Sequence, residues 1–179
     1  MMEIINLHTR FTVETLGRGE LAPGVLDAVA RVPRHCFVPT EICHYAYADG
    51  PLPIGFDKTI SQPFIVALMT DLLETDPTHR VLEVGTGLGY HTAVLALLAG
   101  SVHTVEIIEE LTELAEANLA EAGCNNIAFK TGDGSKGWLE HAPFDLILVA
   151  AASERAPSAL IEQLTAGGRM VVPTGPDNA

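Results

Sequence analysis

The amino-acid sequence predicts an α/β fold built on a doubly wound, mostly parallel sheet. Short apolar runs of strand length alternate with longer stretches of helical periodicity, the pattern of repeated βαβ units. Glycines stand directly after the central run, at Gly85, Gly87 and Gly89, where a strand would turn sharply into a helix. An acid, Glu106, closes the next run, at the carboxyl end of a strand, where ligands sit in such sheets.

The 179 residues suffice for one domain with a sizeable core. Their 47% hydrophobic and 6% aromatic content suits an Ala-, Leu- and Val-rich α/β protein better than an all-β one. Ten Lys and Arg against 23 Asp and Glu give a net charge of −13, which repels a nucleic-acid backbone, so no nucleic-acid partner is expected. Cys36, Cys43 and Cys124 are odd in number and form no C-x-x-C pair, and the histidines lack metal-ligand spacing, so neither a disulfide framework nor a metal site is expected. MMEIINLHTR has no basic start followed by an apolar core, and no apolar run approaches the roughly 20 residues that cross a bilayer. The expectations are a cytoplasmic protein, no membrane partner, and a monomer or weak dimer.

Residues 1–22 carry weak helical character broken at Gly17 and Gly19, and read as a helix or a mobile arm. A short helix from Pro23, with Leu26, Val29 and Ala30 on one face, ends before Pro33. Pro33, Pro39, Pro51 and Pro53 make residues 31–55 too proline-rich for a long regular element, so this stretch reads as a segment wrapped over the sheet. The single domain 1–179 thus divides into an N-terminal helical and wrapped part, 1–58, and a core, 59–179. Residues 64–73 repeat Ile65, Leu68, Met69 and Leu72 at helical spacing, with Ser61 as N-cap and Pro63 in the first turn. A helix start with free N–H groups and a hydroxyl also suits an anion such as a carboxylate.

Val81, Leu82 and Val84 form the central strand, residues 92–99 an apolar helix ended by Gly100, and 102–105 a second strand running into Glu106. Residues 108–122 read as a helix whose Glu109, Glu110, Glu113, Glu116 and Glu121 make a solvated face. Gly123 stops it, 127–129 is a strand, and Gly132-Asp133-Gly134 follows, where Asp133 is an ordinary turn residue or an acid aimed at a ligand. Residues 144–149 are a buried strand, and Ala150, Ala151 and Ala152 present small side chains at its end. Residues 157–164 form a helix stopped by Gly167-Gly168, and 169–173 a fifth strand.

The run Glu83-Val84-Gly85-Thr86-Gly87-Leu88-Gly89 bears on the cofactor class. Dinucleotide sites use G-x-G-x-x-G; here the third glycine comes one position early, giving E-x-G-x-G-x-G. No Lys or Arg occurs between Arg80 and Lys130, so no arginine is placed for a 2′-phosphate. A glycine turn that brings backbone close to an amino-acid moiety, with Glu106 accepting two ribose hydroxyls, suits S-adenosylmethionine. The run resembles motif I of class I S-adenosylmethionine-dependent methyltransferases; a tight strand-helix turn in an unrelated α/β fold is the plainer alternative.

Longer motifs narrow the choice. VPRHCFVP (32–39), YADGPLPIG (47–55), TISQP (59–63), LEVGTGLGY (82–90), TVE (104–106), GDG (132–134), APFDLILVAAA (142–152) and LTAGGRMVVP (164–173) together resemble the protein-L-isoaspartate (D-aspartate) O-methyltransferases, repair enzymes for isomerised aspartyl residues. The resemblance implies a Rossmann-like fold, S-adenosyl-L-methionine as cofactor with S-adenosyl-L-homocysteine as product, and isoaspartyl-containing proteins and peptides as partners. It implies that Ser61 is the catalytic residue, holding the substrate carboxylate, and that Gln62 and Pro63 wall the pocket. The cofactor-binding set it implies is Ser61, Gln62, Pro63, Glu83, Gly85, Thr86, Gly87, Gly89, Glu106, Ile107, Asp133 and Gly134, with Asp133 accepting from the adenine amino group. The chemistry is consistent: a carboxylate is already ionised at pH 7, so methylation needs no general base, only alignment and exclusion of water. The ester would close to a succinimide and hydrolyse partly to normal aspartate.

Three departures from the family pattern stand out. Leu88 replaces a small polar residue, and Phe56-Asp57-Lys58 replaces smaller, more polar ones before TISQP, altering substrate access. Chains of this family continue past the fifth strand, so C-terminal strands are expected to be missing and the fifth strand to be an edge. Two alternatives keep the fold: methylation of an aspartate in a dedicated peptide, or a truncated cofactor-binding module without turnover.

Overall fold

In the computed structural model, which describes residues 1–17, 19–151 and 155–175, helices gather first and the sheet follows. The chain begins with α1 (Met2–Phe11), α2 (Val13–Leu16) and α3 (Pro23–Arg31). Two 3-10 turns, Arg34–Phe37 and Thr40–Tyr45, lead to a hairpin of β1 (Leu52–Gly55) and β2 (Lys58–Ile60). Then come α4 (Pro63–Leu73), β3 (Arg80–Val84), α5 (Tyr90–Leu98), β4 (Ser101–Glu106), α6 (Glu109–Glu121), β5 (Ile127–Thr131), β6 (Phe144–Val149), α7 (Ser158–Ile161) and β7 (Leu164–Val171).

The last five strands form one parallel sheet in the order β5-β4-β3-β6-β7. From β3 the chain steps outward through β4 and β5, then crosses back to β6 on the other side. The direction of winding therefore reverses between β3 and β6, and a crevice opens there at the carboxyl ends. Both faces of the central strands β3, β4 and β6 are covered, which explains their largely buried residues. Val81, Val102, Leu146 and Leu148 pack with Met69, Leu73 and Leu95 on one side, and Leu82, Val105, Ile147 and Val149 pack with Leu160 on the other.

Several sequence expectations change in detail. The N-terminal stretch is helical over Met2–Phe11 and Val13–Leu16, anchored by a fully buried Ile5. In α3 the buried face is Val25, Ala28 and Val29, continuing to Val32, while Leu26 is half-buried and Ala30 exposed; both sets have helical spacing, and the one that extends into the next turn wins. In α4 the buried residues include Phe64, Val66, Ala67, Met69 and Leu73, whereas Ile65 and Leu68 are half-buried and Leu72 is exposed. That helix packs on the sheet and on the N-terminal helices at once, so no single stripe describes it. Its N-cap position is held by Gln62, not Ser61.

The wrapped segment rests on helices rather than on the sheet. Phe37, Val38 and Ala46 join a cluster with Val29, Tyr90, Ala93, Leu111 and Leu119. At the far end, α7 is a single turn and β7 starts at Leu164, so Gly167-Gly168 lies inside a strand rather than stopping a helix. Gly167 has φ +84°, and the pairing with β6 slips between Phe144 and Leu146. The glycine pair marks a bulge. Ala152 lies outside the described residues, and among those residues no helix is long and apolar enough to cross a membrane.

Candidate active site

The crevice at the switch point holds a cavity of about 360 Å³. Its floor comes from four strand ends: Gly85 to Leu88 after β3, Glu106 and Ile107 at the end of β4, Gly134 beyond β5, and Ala150 with Ala151 after β6. The hairpin forms the opposite wall with Ile54 and the stretch from Asp57 to Ser61. Small residues bring the two central strand ends together, since a Cβ on Gly85 would stand 3.4 Å from that of Ala150. Gly89 serves packing instead. It has φ +97°, a Cβ there would come within 2.8 Å of Leu119, and the residue does not line the cavity.

Glu106 is 5% exposed and its carboxylate is held by backbone donors. Oε2 accepts from the Gly87 N–H at 2.9 Å, and Oε1 from Ile107 N–H at 2.9 Å and Ile108 N–H at 3.2 Å. A carboxylate offers about four acceptor positions. Three are taken here, so the acid is a pre-aimed acceptor with one position open.

Glu83 lies beneath the loop and does not line the cavity. It is fully buried, with Oε2 accepting from Thr92 Oγ1 at 2.5 Å and Thr104 Oγ1 at 2.8 Å. Because Thr104 spends its proton on Glu83, the 2.6 Å contact between Thr86 and Thr104 has Thr86 as donor. Glu83 thereby reaches the glycine loop through two hydroxyls. Burial pushes its carboxyl up to about 7, against the two threonine hydrogen bonds and with the charge of Glu106 adding to the rise.

Ser61 lines the cavity, and its hydroxyl makes no hydrogen bond among the described residues. Its carbonyl is held at 2.7 Å by Nη2 of Arg34, a fully buried guanidinium that also donates from Nε to the Ala46 carbonyl at 2.8 Å and lies over the Tyr90 ring. Gln62 and Pro63 do not line the cavity. Gln62 Nε2 donates to Asp49 Oδ2 at 2.9 Å, an oxygen that also meets His8 Nδ1 at 3.2 Å, and Pro63 is buried in the first turn of α4. Asp133 takes the turn role that its sequence allowed. Its Oδ1 accepts from Ser135 N–H at 3.1 Å and Ser135 Oγ at 2.6 Å, and Lys136 Nζ stands 3.3 Å away, which together hold the carboxyl below its usual range. Of the GDG motif, only Gly134 borders the cavity.

Sequence reasoning gave no site role to Tyr90 and His91, which line the cavity, and noted Lys58 only within a departure that alters substrate access. Lys58 comes from the hairpin, and Tyr90 and His91 from the first turn of α5. Thr70 Oγ1 donates to the Val66 carbonyl at 2.7 Å, so its 2.9 Å contact with His91 has Nε2–H as donor. Burial pushes the imidazole down to about 3, so it is neutral at pH 7. Placement within two residues of Gly89, at the mouth of a helix starting from a strand end, was the available signal for His91.

A family model described as Protein-L-isoaspartate(D-aspartate) O-methyltransferase matches residues 14–179. Protein-L-isoaspartate O-methyltransferase 1 of a Polaromonas species is 55% identical over 178 residues, covering 99% of this chain and 75% of that protein. Protein-L-isoaspartate O-methyltransferase 2 of Syntrophobacter fumaroxidans is 51% identical over 175 residues, covering 98% and 71%. A solved protein-L-isoaspartate O-methyltransferase superposes with a TM-score of 0.79 at 30% identity, over 97% of this chain and 55% of its own. A Plasmodium falciparum structure in complex with S-adenosyl-L-homocysteine has a TM-score of 0.76 at 22% identity, over 96% and 84%, and speaks for the fold alone. A match to the family model across residues 14–179, with two relatives above half identity along nearly the whole chain, makes this chain a member of the protein-L-isoaspartate(D-aspartate) O-methyltransferase family.

Proposed function

We infer that this chain transfers a methyl group from S-adenosylmethionine to the free carboxylate of L-isoaspartyl or D-aspartyl residues in proteins and peptides, leaving S-adenosylhomocysteine and starting repair through a succinimide. The observation that carries the reading is the meeting, in one cavity, of the glycine loop and Glu106 with Ser61 on the facing wall. The residues present fit the cofactor. The Gly85 to Gly87 loop is open backbone, Glu106 keeps an acceptor position for a ribose hydroxyl, and no Lys or Arg faces it from β3 or β4.

When bound, S-adenosylmethionine supplies an electrophilic methyl on a cationic sulfonium, and its transfer to a carboxylate oxygen moves no proton. The chain has therefore to orient, not to activate. Glu106 fixes the ribose, with the Gly85, Thr86, Gly87 and Ile107 backbone beside it, and Gly134, Ala150 and Ala151 leave room. Glu83 acts from below, steadying Thr86 and the start of α5 through Thr104 and Thr92. Ser61 Oγ donates to the substrate carboxylate, and Arg34 holds the backbone that carries it. Ile54, Ile60 and Val105 keep water out, which favours a step in which opposite charges cancel. Gly89 and Asp133 support the loops by packing and turn formation, and Gln62 and Pro63 fix the approach of α4. We assign these roles within one domain, 1–179, acting as a monomer or weak dimer in the cytoplasm without nucleic acid, a placement supported by three unpaired cysteines and the strong net negative charge.

The test is transfer of labelled methyl to a matched pair of peptides, one isoaspartyl and one aspartyl, counted as base-labile ester. Selective labelling of the isoaspartyl peptide is expected. Equal labelling of both, or none while S-adenosylhomocysteine still binds, contradicts the reading.

A further inference from the structure

We propose that Lys58 is the residue that captures the anionic substrate, its ammonium drawing the free carboxylate into the cavity toward Ser61. This rests on the carboxyl-methylation reading and deepens it. A chain of net charge −13 must accept a substrate whose reacting group is itself negative. Among the described residues that line the cavity, Asp57 and Glu106 add two further negative charges, and Lys58 is the only Lys or Arg. Its ammonium is exposed and has no acid within ion-pair distance among the described residues.

Its position on the hairpin gives this charge a direction. Lys58 and Ile60 are two apart on β2 and so share a face, and Ile60 is buried against the cavity. Ser61 follows at once, so Lys58 and Ser61 are separated by roughly 10 Å of extended chain. The carboxylate thus meets a cation at the hairpin and a hydroxyl donor next along the same segment. Both oxygens of one carboxylate can be served in this way, with the ammonium contributing attraction and the hydroxyl contributing alignment. Normal aspartyl residues also carry a carboxylate, so Lys58 supplies affinity and not the choice between the two isomers.

The experiment compares wild type with K58Q, K58E and K58R, measuring KM and kcat on an isoaspartyl peptide at low and high NaCl, and S-adenosylhomocysteine affinity by calorimetry. An exposed charge pair is worth up to about fivefold in affinity. K58Q is expected to raise KM about fivefold and K58E further, with kcat and S-adenosylhomocysteine affinity within about twofold of wild type and K58R near wild type. Salt screens the general repulsion in both proteins but the Lys58 attraction only in wild type, so the KM of wild type should rise with salt relative to that of K58Q. An unchanged KM in K58Q and K58E overturns the proposal. So does S-adenosylhomocysteine affinity falling in step with KM, which would put the ammonium on the cofactor's carboxylate. Wild type that labels no isoaspartyl peptide overturns the functional reading as well, whereas an active wild type with indistinguishable variants overturns this proposal alone.

Discussion

Glu83 and Glu106 stand on neighbouring strands, both nearly sealed from solvent, and their donors set them apart. Glu106 is held by three backbone N–H groups and faces the cavity; Glu83 has two threonine hydroxyls and one oxygen, Oε1, without a partner among the described residues. Glu106→Ala is expected to weaken S-adenosylhomocysteine binding at least about tenfold, the value of a charge-assisted hydrogen bond, and an unchanged dissociation constant would refute the ribose role. Glu83 has a pH signature. Its carboxyl titrates near 4.5 when unfolded and at about 7 in the fold, so between those values the native state holds a proton that the unfolded state releases. Stability accordingly falls as pH rises through that window, by something on the order of 3 kcal/mol. Glu83→Gln removes the titration, so denaturant unfolding of both proteins at either end of the window should show wild type losing more stability than the variant. Parallel losses would mean that Glu83 stays ionised in the fold. Ser61→Ala separates two roles open on sequence grounds. Because Gln62 occupies the N-cap, the melting temperature should hardly move, while turnover falls about tenfold with the loss of one donor to a charged group.

β3 and β6 are legible in the sequence because both faces of the central sheet are buried and they are rich in apolar residues, whereas β4 and β5 carry His103, Thr104, Lys130 and Thr131 and are marked by the glycines and the acid around them. The hairpin is not legible. Pro51 and Pro53 mask β1, and its turn uses Phe56 and Asp57 at φ +54° and +55° where Asn-Gly or Asp-Gly would announce it. The cavity follows the same division. Gly85, Gly87 and Glu106 mark one βαβ unit by residue type and can be read together; His91 lies in the same unit, signalled only by its place two residues after Gly89, whereas Lys58 reaches the cavity through the packing of a hairpin that no local pattern encodes. The turn also yields a prediction. A non-glycine residue at positive φ costs about 1 kcal/mol, so replacing Phe56-Asp57 by Asn-Gly should stabilise the chain by about 1 to 2 kcal/mol. For a domain of this size each kcal/mol raises the midpoint by about 2–4 °C. Thermal melts showing no gain would mean that the turn is relaxed by contacts of the Phe56 ring.

The charge of the whole molecule sets the conditions under which these elements work together. A net charge of −13 on one domain is self-repulsive, and the acids of α6 add to it locally: Glu109, Glu110, Glu113, Glu116 and Glu121 are exposed along one helix without a Lys or Arg among its residues. Exposed like charges are screened once the Debye length falls to about 8 Å near physiological salt. Raising NaCl from about 20 mM to about 500 mM should therefore increase the melting temperature by several degrees. The Lys58 contribution to substrate capture responds the other way, because its attraction for a carboxylate is screened by the same ions. The acidic surface and Lys58, the one Lys or Arg lining the cavity among the described residues, thus make opposite demands on salt, and activity at subsaturating peptide should fall relative to K58Q over the range in which the fold becomes more robust. Melting curves and initial rates recorded on the same salt series test both at once. A melting temperature that drops with salt would show that attractive pairs such as Arg169–Glu74 outweigh repulsion among the surface acids, and that the net charge does not strain the fold.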